Sequence, residues 1–231
     1  MTSRFALSSD PIIGGTNTLL TITGVNVQIV NGLGGTETTN GLGNLLVGYN
    51  ETDPKYTQNR TGSHNLVVGM GNNYLSYGGL VAGQSNLISG PYATVTGGQN
   101  NTASSDHASV SGGQNNTASG AYASVSGGIY NTASGAYASV SGGYSGMASG
   151  YFASVSGGID NIASSDEASV SGGASNTASG TNMPGYAVAS WVGGGYNNVA
   201  TAAYASVAGG ADRYQSHVDG WSGGDYATDN P

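Results

Sequence analysis

From Val95 onward, apolar and polar positions alternate in two short runs within every 15 residues, through Val95, Val110, Val125, Val140, Val155 and Val170 without a slip. In ASVSGG, Ala108 and Val110 fall on one face of an extended chain and Ser109 and Ser111 on the other. In NTASG, Asn116 and Ala118 share a face, with Thr117 and Ser119 opposite. Alternation with period two predicts strands, and no helical apolar spacing interrupts it. Two strands and two turns consume the whole repeat, so each repeat predicts one coil of a flattened solenoid touching only its neighbours. The pair Gly112 and Gly113 marks a turn where positive φ or close packing excludes a Cβ. The expectation is an all-β, parallel β-solenoid (β-roll) of two-strand coils. About eleven coils at the strand spacing of ~4.8 Å would stand on the order of 50 Å tall.

The pattern divides the chain into three parts. Residues 1–45 precede the array and read as an N-terminal β segment for docking or capping. Within them, LLTITGVNVQIV (Leu19 to Val30) places Val25, Val27 and Ile29 on one face, as in a half-buried strand. Residues 46–210 form the array, with bulkier early repeats (GNLLVGYN, HNLVVGMGNN, GGLVAGQSNLISG) and insertions near 51–63 and 181–187. The second insertion sets Val192 seven residues late, after which the register resumes at Val207. Residues 211–231 read as a C-terminal cap, since terminal repeats of solenoids must cover an open edge.

Composition narrows the class. Of 231 residues, 42 are glycine and only 7% are charged, yet 15 tyrosines and a strict register argue against disorder. Glycine does not fall at every third position, which excludes collagen. A formal charge of −8 argues against nucleic acid or an anionic membrane surface as partner. There are no cysteines, and no run approaches the ~18 apolar residues of a membrane span, so neither disulfides nor membrane insertion is expected. The apolar stretch in MTSRFALSSDPIIGG is short for a signal peptide. One valine and two alanines per coil make a thin core against ~1–2 kcal/mol of backbone entropy per residue. A second face buried against other copies would remedy this, so an oligomer is expected.

Two columns stand out as candidate chemistry. Three residues before each valine lie Tyr92, His107, Tyr122, Tyr137 and Phe152, followed by Glu167, Ala189 and Tyr204. Aromatic side chains at strand spacing either form a platform for glycan or protein contact or stack to shield a turn or a subunit seam. Six residues after each valine lie Asn101, Asn116, Asn131, Asn161 and Asn176, with Asn86 and Asn198 beyond them and Gly146 breaking the run. Stacked amides that hydrogen-bond along the axis are expected there. The tail adds Trp221 and Tyr226, read either as a cap over the last coil or as a binding tip, near Asp212, Arg213, His217 and Asp219. The outward Ser and Thr rows are a candidate face for ordered water or ice, though they lack regularly spaced threonine.

Catalysis finds little support. His64, His107 and His217 are scattered, and no nucleophile or phosphate-loop motif appears. Asp106 and Asp166 share a column four coils apart, roughly 19 Å. A glycosidase carboxylate pair needs ~5–9.5 Å. Neither a metal site nor a cofactor is expected, the calcium-binding GGxGxD repeat being absent.

The text ASVSGGxxNTASGxYASVSGG resembles the head repeats of trimeric autotransporter adhesins, the YadA-like family, whose coils carry text like SVAIGxxAxAxGxxS. The resemblance spans roughly residues 43–210. It implies a left-handed parallel β-roll that forms a homotrimer and binds host matrix proteins or surfaces. Ser111, Ser126 and Ser141 depart from the family, which places a second aliphatic residue there, and the period is 15 where the family mostly has 14. No neck, heptad stalk or membrane anchor is visible in the text.

Together these features lead us to expect a non-enzymatic, extracellular adhesive or receptor-binding head of a trimeric fibre or spike, at a cell or particle surface. Its target would be a glycan or surface protein. Tyr92, His107, Tyr122, Tyr137, Phe152, Trp221 and Tyr226 are the candidate binding residues. The alternative is a structural subunit of a filament or of a phage or tail-fibre-like particle with no ligand of its own. A tailspike-type glycan hydrolase ranks third.

Overall fold

Valine fills one wall of the interior because its branched Cβ suits an extended backbone and its size closes the gap to the facing alanine. In a computed structural model describing residues 5–9, 18–54, 57–180 and 188–223, this arrangement builds a parallel β-solenoid. One sheet has 12 strands, running from Leu45–Val47 to Trp221–Ser222, and carries the valines. The other has 10 strands, from Asn73–Tyr74 to Tyr214–Gln215, and carries alanines such as Ala103, Ala118 and Ala133. Each coil between Leu66 and Gln215 gives one strand to each sheet, while the first and last strands of the larger sheet have no counterpart among the described residues. Val95, Val110, Val125, Val140, Val155, Val170, Val192 and Val207 pair in strict register, so the 181–187 insertion leaves the stack unbroken. Ala108, Val110, Asn116 and Ala118 are buried, while Ser111 and Ser119 face solvent. Ser111 carries a hydroxyl because this position points outward.

Strand amides donate toward the next coil: Ser109 N–H to Ala123 O (2.9 Å), Ser111 to Val125 O (2.9 Å), Thr117 to Asn131 O (2.8 Å) and Ser119 to Ala133 O (2.9 Å). At two corners of the coil the backbone turns left-handed and the donation reverses. Tyr122 (φ 58°) donates back to Asp106 O (2.9 Å), and Asn115 (φ 57°) back to Gln99 O (3.0 Å). Adjacent coils are therefore tied by bonds of both senses. Gly113 combines φ +82° with crowding, since a Cβ there would meet Gly128 O at 2.1 Å. No L side chain fits that corner.

Inside the second corner runs the asparagine ladder. Asn116 N–H donates to Asn101 Oδ1 (2.9 Å), and Asn116 Nδ2 donates to Gly112 O (3.0 Å) and Gly128 O (2.9 Å). Asn101, Asn131, Asn176 and Asn198 repeat all three bonds, and Asn161 keeps both of its side-chain donations. The ladder begins earlier than the valine spacing indicated, at Asn50 and Asn72, whose Oδ1 atoms accept from Asn72 N–H (2.7 Å) and Asn86 N–H (3.0 Å).

Both ends differ from expectation. Phe5–Ser9 and Thr18–Ile22 form an antiparallel pair, but the chain leaves strand geometry at Gly24 (φ +68°). Val27 and Ile29 are exposed instead of lining a half-buried strand. At the other end the array passes Gly210: Tyr214–Gln215 and Trp221–Ser222 continue the two sheets in register with Val199–Ala200 and Ser206–Val207.

Candidate functional site

The aromatic column sits at a corner, one residue per coil, each in the left-handed conformation: Tyr92 φ 55°, His107 53°, Tyr122 58°, Tyr137 59° and Phe152 56°. Successive ring centroids lie 5.1, 4.8, 5.0 and 4.9 Å apart, and the planes tilt by 29°, 8°, 2° and 24°. Each end is closed edge-on, by Tyr77 against Tyr92 (5.4 Å, 87°) and by Tyr151 against Phe152 (4.3 Å, 72°). Ring faces are therefore spent on neighbouring rings. What reaches solvent are ring edges and phenolic hydroxyls, and Tyr122, Tyr137 and Phe152 remain 44–50% exposed. A sugar cannot stack on these faces, but an oxygen-rich ligand meets the electropositive ring rim and a row of hydroxyl donors.

This column is an expensive place for aromatic residues. A bulky side chain at φ near +60° costs ~1–2 kcal/mol, while a stacked pair returns ~0.5–1.5 kcal/mol. The two nearly cancel. Glycine takes the position without steric cost and occupies it in one coil, at Gly78 (φ +70°). The stacking alone thus gives the turn no clear advantage over glycine.

Polar groups flank the column. His107 Nδ1 lies 2.8 Å from Asp106 Oδ1, and the Tyr92 hydroxyl donates to Glu37 Oε1 at 3.2 Å. The Tyr92 phenol is held above its ordinary range, first by desolvation and then by that hydrogen bond. At the foot of the column His64 accepts from Asn31 N–H at Nε2 (3.1 Å), and its Nδ1 lies 3.0 Å from Thr36 O. It borders a crevice of about 580 Å³ lined also by Gln28, Ile29 and Val30. A second crevice of about 310 Å³ lies between Asp53, Met70, Gln84 and Gln99. Neither gathers three histidine or carboxylate side chains that would hold a metal ion, nor does any other place among the described residues.

The other expected residues separate. Trp221 does not cover the last coil: it is 67% exposed, on the outer face of the valine sheet, because its strand continues the sheet with Trp221 at an outward position. Tyr226 lies outside the described residues. The column reading missed an exposed strip on the opposite corner, Ile129, Tyr130, Tyr144, Ile159 and Tyr196, in which Tyr130 meets Tyr144 edge-on at 5.8 Å. It occupies the two variable positions of SGGxxN, whose content changes from coil to coil. Trp191 was missed as well. No helix among the described residues is long and apolar enough to cross a membrane. Compared with known proteins, the chain matches no family model and no curated sequence.

Proposed function

We propose that this chain is a non-enzymatic binding head of an extracellular fibre or spike, related in form to the heads of trimeric autotransporter adhesins, with three copies side by side. The observation that carries this reading is the ladder at Tyr92, His107, Tyr122, Tyr137 and Phe152. Five aromatic side chains occupy a left-handed corner that glycine would fill at no steric cost, and at least three stand half-exposed. Unfavourable backbone conformation retained at a surface points to a role outside folding. The target is a glycan or a surface protein presenting oxygen acceptors to the ring edges and hydroxyls. Identical rungs on three chains hold it by avidity.

The test replaces Tyr92, Tyr122, Tyr137 and Phe152 together by Ser. Serine already adopts the left-handed conformation at Ser145 and Ser175, so the coils should persist. Binding to a panel of matrix proteins and surface glycans, cello- and chito-oligosaccharides excluded, should be lost while the circular dichroism spectrum is kept. Unchanged binding removes the reading.

One observation favours a second reading, a structural subunit without a ligand of its own. The first coil exposes Leu42, Leu45, Leu46 and Val47 at an outer strand edge, suited to joining another body end to end. Light scattering separates the two: a discrete trimer supports the head, and filaments that vanish when Leu42, Leu45 and Val47 are replaced by Ser support the subunit.

A further inference from the structure

The outer face of the valine sheet is a plain of small side chains, with Ser-Val-Ser as the usual strand text: Ser109 and Ser111, Ser124 and Ser126, and so on to Ser169 and Ser171. In two strands a tryptophan and a glycine replace the two outward serines together. Trp191-Val192-Gly193 and Trp221-Ser222-Gly223 place a tryptophan first and a glycine two residues later. The structure shows why the exchanges are coupled. A Cβ on Gly193 would meet Ala208 O at 2.4 Å as well as Trp191 Cη2 at 2.8 Å and Cζ2 at 2.9 Å. One on Gly223 would meet the same atoms of Trp221 at 2.4 and 2.8 Å. Each indole therefore lies back along its own strand over the glycine two residues on, and at Gly223 it alone takes the space of a side chain. Trp191 Nε1 also donates to Ser171 Oγ of the preceding coil (3.2 Å), which pins the ring across two coils.

The two rings stand on one column, through the register Ser169 to Trp191 to Ser206 to Trp221. They are two coils apart, ~10 Å along the axis. Between them the intervening coil offers only Ser206 and Ala208. Trp191 is 39% and Trp221 67% exposed, so each ring laid against the sheet leaves a broad apolar surface facing solvent. No outward position of these strands from Thr94 to Ser222 carries a charge.

We propose that Trp191 and Trp221 form a docking platform for a neutral, extended β-linked polysaccharide chain lying along the solenoid axis. A pyranose ring presents a face of C–H bonds rimmed by hydroxyls, which matches an indole bordered by serines. In such a chain every second sugar repeats the same orientation, so two indoles two coils apart meet alternate sugars of one chain. The serine hydroxyls beside and between the rings hydrogen-bond the sugar rim and set its direction. The site is separate from the ring-edge ladder, and neither reading depends on the other.

Trp191 and Trp221 are the only two tryptophans of the chain, so indole emission reports on this site alone. Titration of the full chain with cellohexaose and with chitohexaose should give a saturable emission change with at least one of them. The protein should also be retained on the matching insoluble polymer. Trp191→Ser and Trp221→Ser each restore the residue other coils carry and should each weaken binding at least tenfold. The double variant should lose retention with its dichroism spectrum unchanged. The four-Ser ladder variant should keep full hexasaccharide binding, which separates this site from the ladder. The proposal is overturned if neither oligosaccharide alters the emission and neither polymer retains the protein. Equal retention of the double Ser variant overturns it too. So does an emission shift that follows protein concentration alone, which would make the rings a protein contact.

Discussion

The coils carrying Asn131 and Gly146 are adjacent, pair in register, and differ at one interior position. Asn131 donates to Gly127 O (2.9 Å) and Gly143 O (3.0 Å) and accepts from Gly146 N–H (2.8 Å). Gly146 has no side chain to offer, so the acceptor that other ladder asparagines present to the next coil is missing below Asn161. The strands nonetheless stay aligned, Thr132 with Met147 and Met147 with Ile162. Register therefore comes from the backbone ladders and the valine column, which continue across the gap. The amides supply stability, because they satisfy the buried N–H of the next coil and the part-buried glycine carbonyls of the corner.

The strongest way to break this comparison is Asn116→Ala, inside the uninterrupted run. It removes the partner of the Gly112 carbonyl and of the Asn131 N–H, and one of two donors to Gly128 O, which keeps Gln114 N–H (3.0 Å). At ~1–3 kcal/mol per buried orphan, a loss of about 2–3 kcal/mol is expected. Thermal melting should show it, with the transition splitting as the stack divides at the damaged coil. A melting curve unchanged from the parent would show that the ladder is ornamental.

Gly146→Asn sharpens the comparison from the other side. Position 146 is not left-handed, and an added Cβ would sit 3.1 Å from Asn131 Oδ1 and 3.4 Å from Val140 and Val155 Cγ1, a fit needing only slight adjustment. A new amide should reach Gly142 and Gly158 carbonyls and accept from Asn161 N–H. The expected gain is ~1–2 kcal/mol from new bonds and a stiffer unfolded chain. A lower melting temperature would mean the gap is required by its neighbours. Met147→Thr then restores the usual outward residue of the same coil. It should change stability by less than ~0.5 kcal/mol, as expected at an exposed site. A larger shift would assign the coil's weakness to its surface instead of the missing amide.

The smallest effect is in pH. Amides do not titrate, so the melting difference between Asn116→Ala and the parent should be flat from acid to mild alkali. The Tyr92 phenol, raised in the folded chain, behaves otherwise. Its contribution is complete below the ordinary tyrosine range near ~10 and is lost as pH climbs through the folded value. Difference absorbance against Tyr92→Phe should show one late-titrating tyrosine, absent from the variant.

Much of this architecture is legible in the sequence because one coil's text recurs with little change. The valine, asparagine and glycine columns and the alternation of Ser109 with Val110 follow from period two and a constant repeat. What stayed hidden departs from that constancy. Asn50 and Asn72 lie at other spacings, behind an insertion and a 14-residue coil. Val25, Val27 and Ile29 alternate without a partner strand, and Gly24 ends the extended run. Nothing in Tyr122 or Phe152 announces a left-handed backbone, which those residues disfavour, so the stacked geometry had no local signal. The tryptophan pair did leave one: glycine replaces serine two residues after each tryptophan. It becomes meaningful only once residues i and i+2 are known to lie on one outer face.

Bonds of both senses between coils carry a mechanical consequence. A coil pulled from either end is held by strand amides pointing one way and corner amides pointing the other, with an interior amide besides, so it releases as a unit. Each release frees about 15 residues, or ~50 Å of contour. Under load the solenoid should lengthen in equal saw-tooth steps, absorbing work coil by coil while the remaining stack keeps its shape and its surface rows. A surface built this way yields by shortening its ladder, and the rungs still in place retain their spacing.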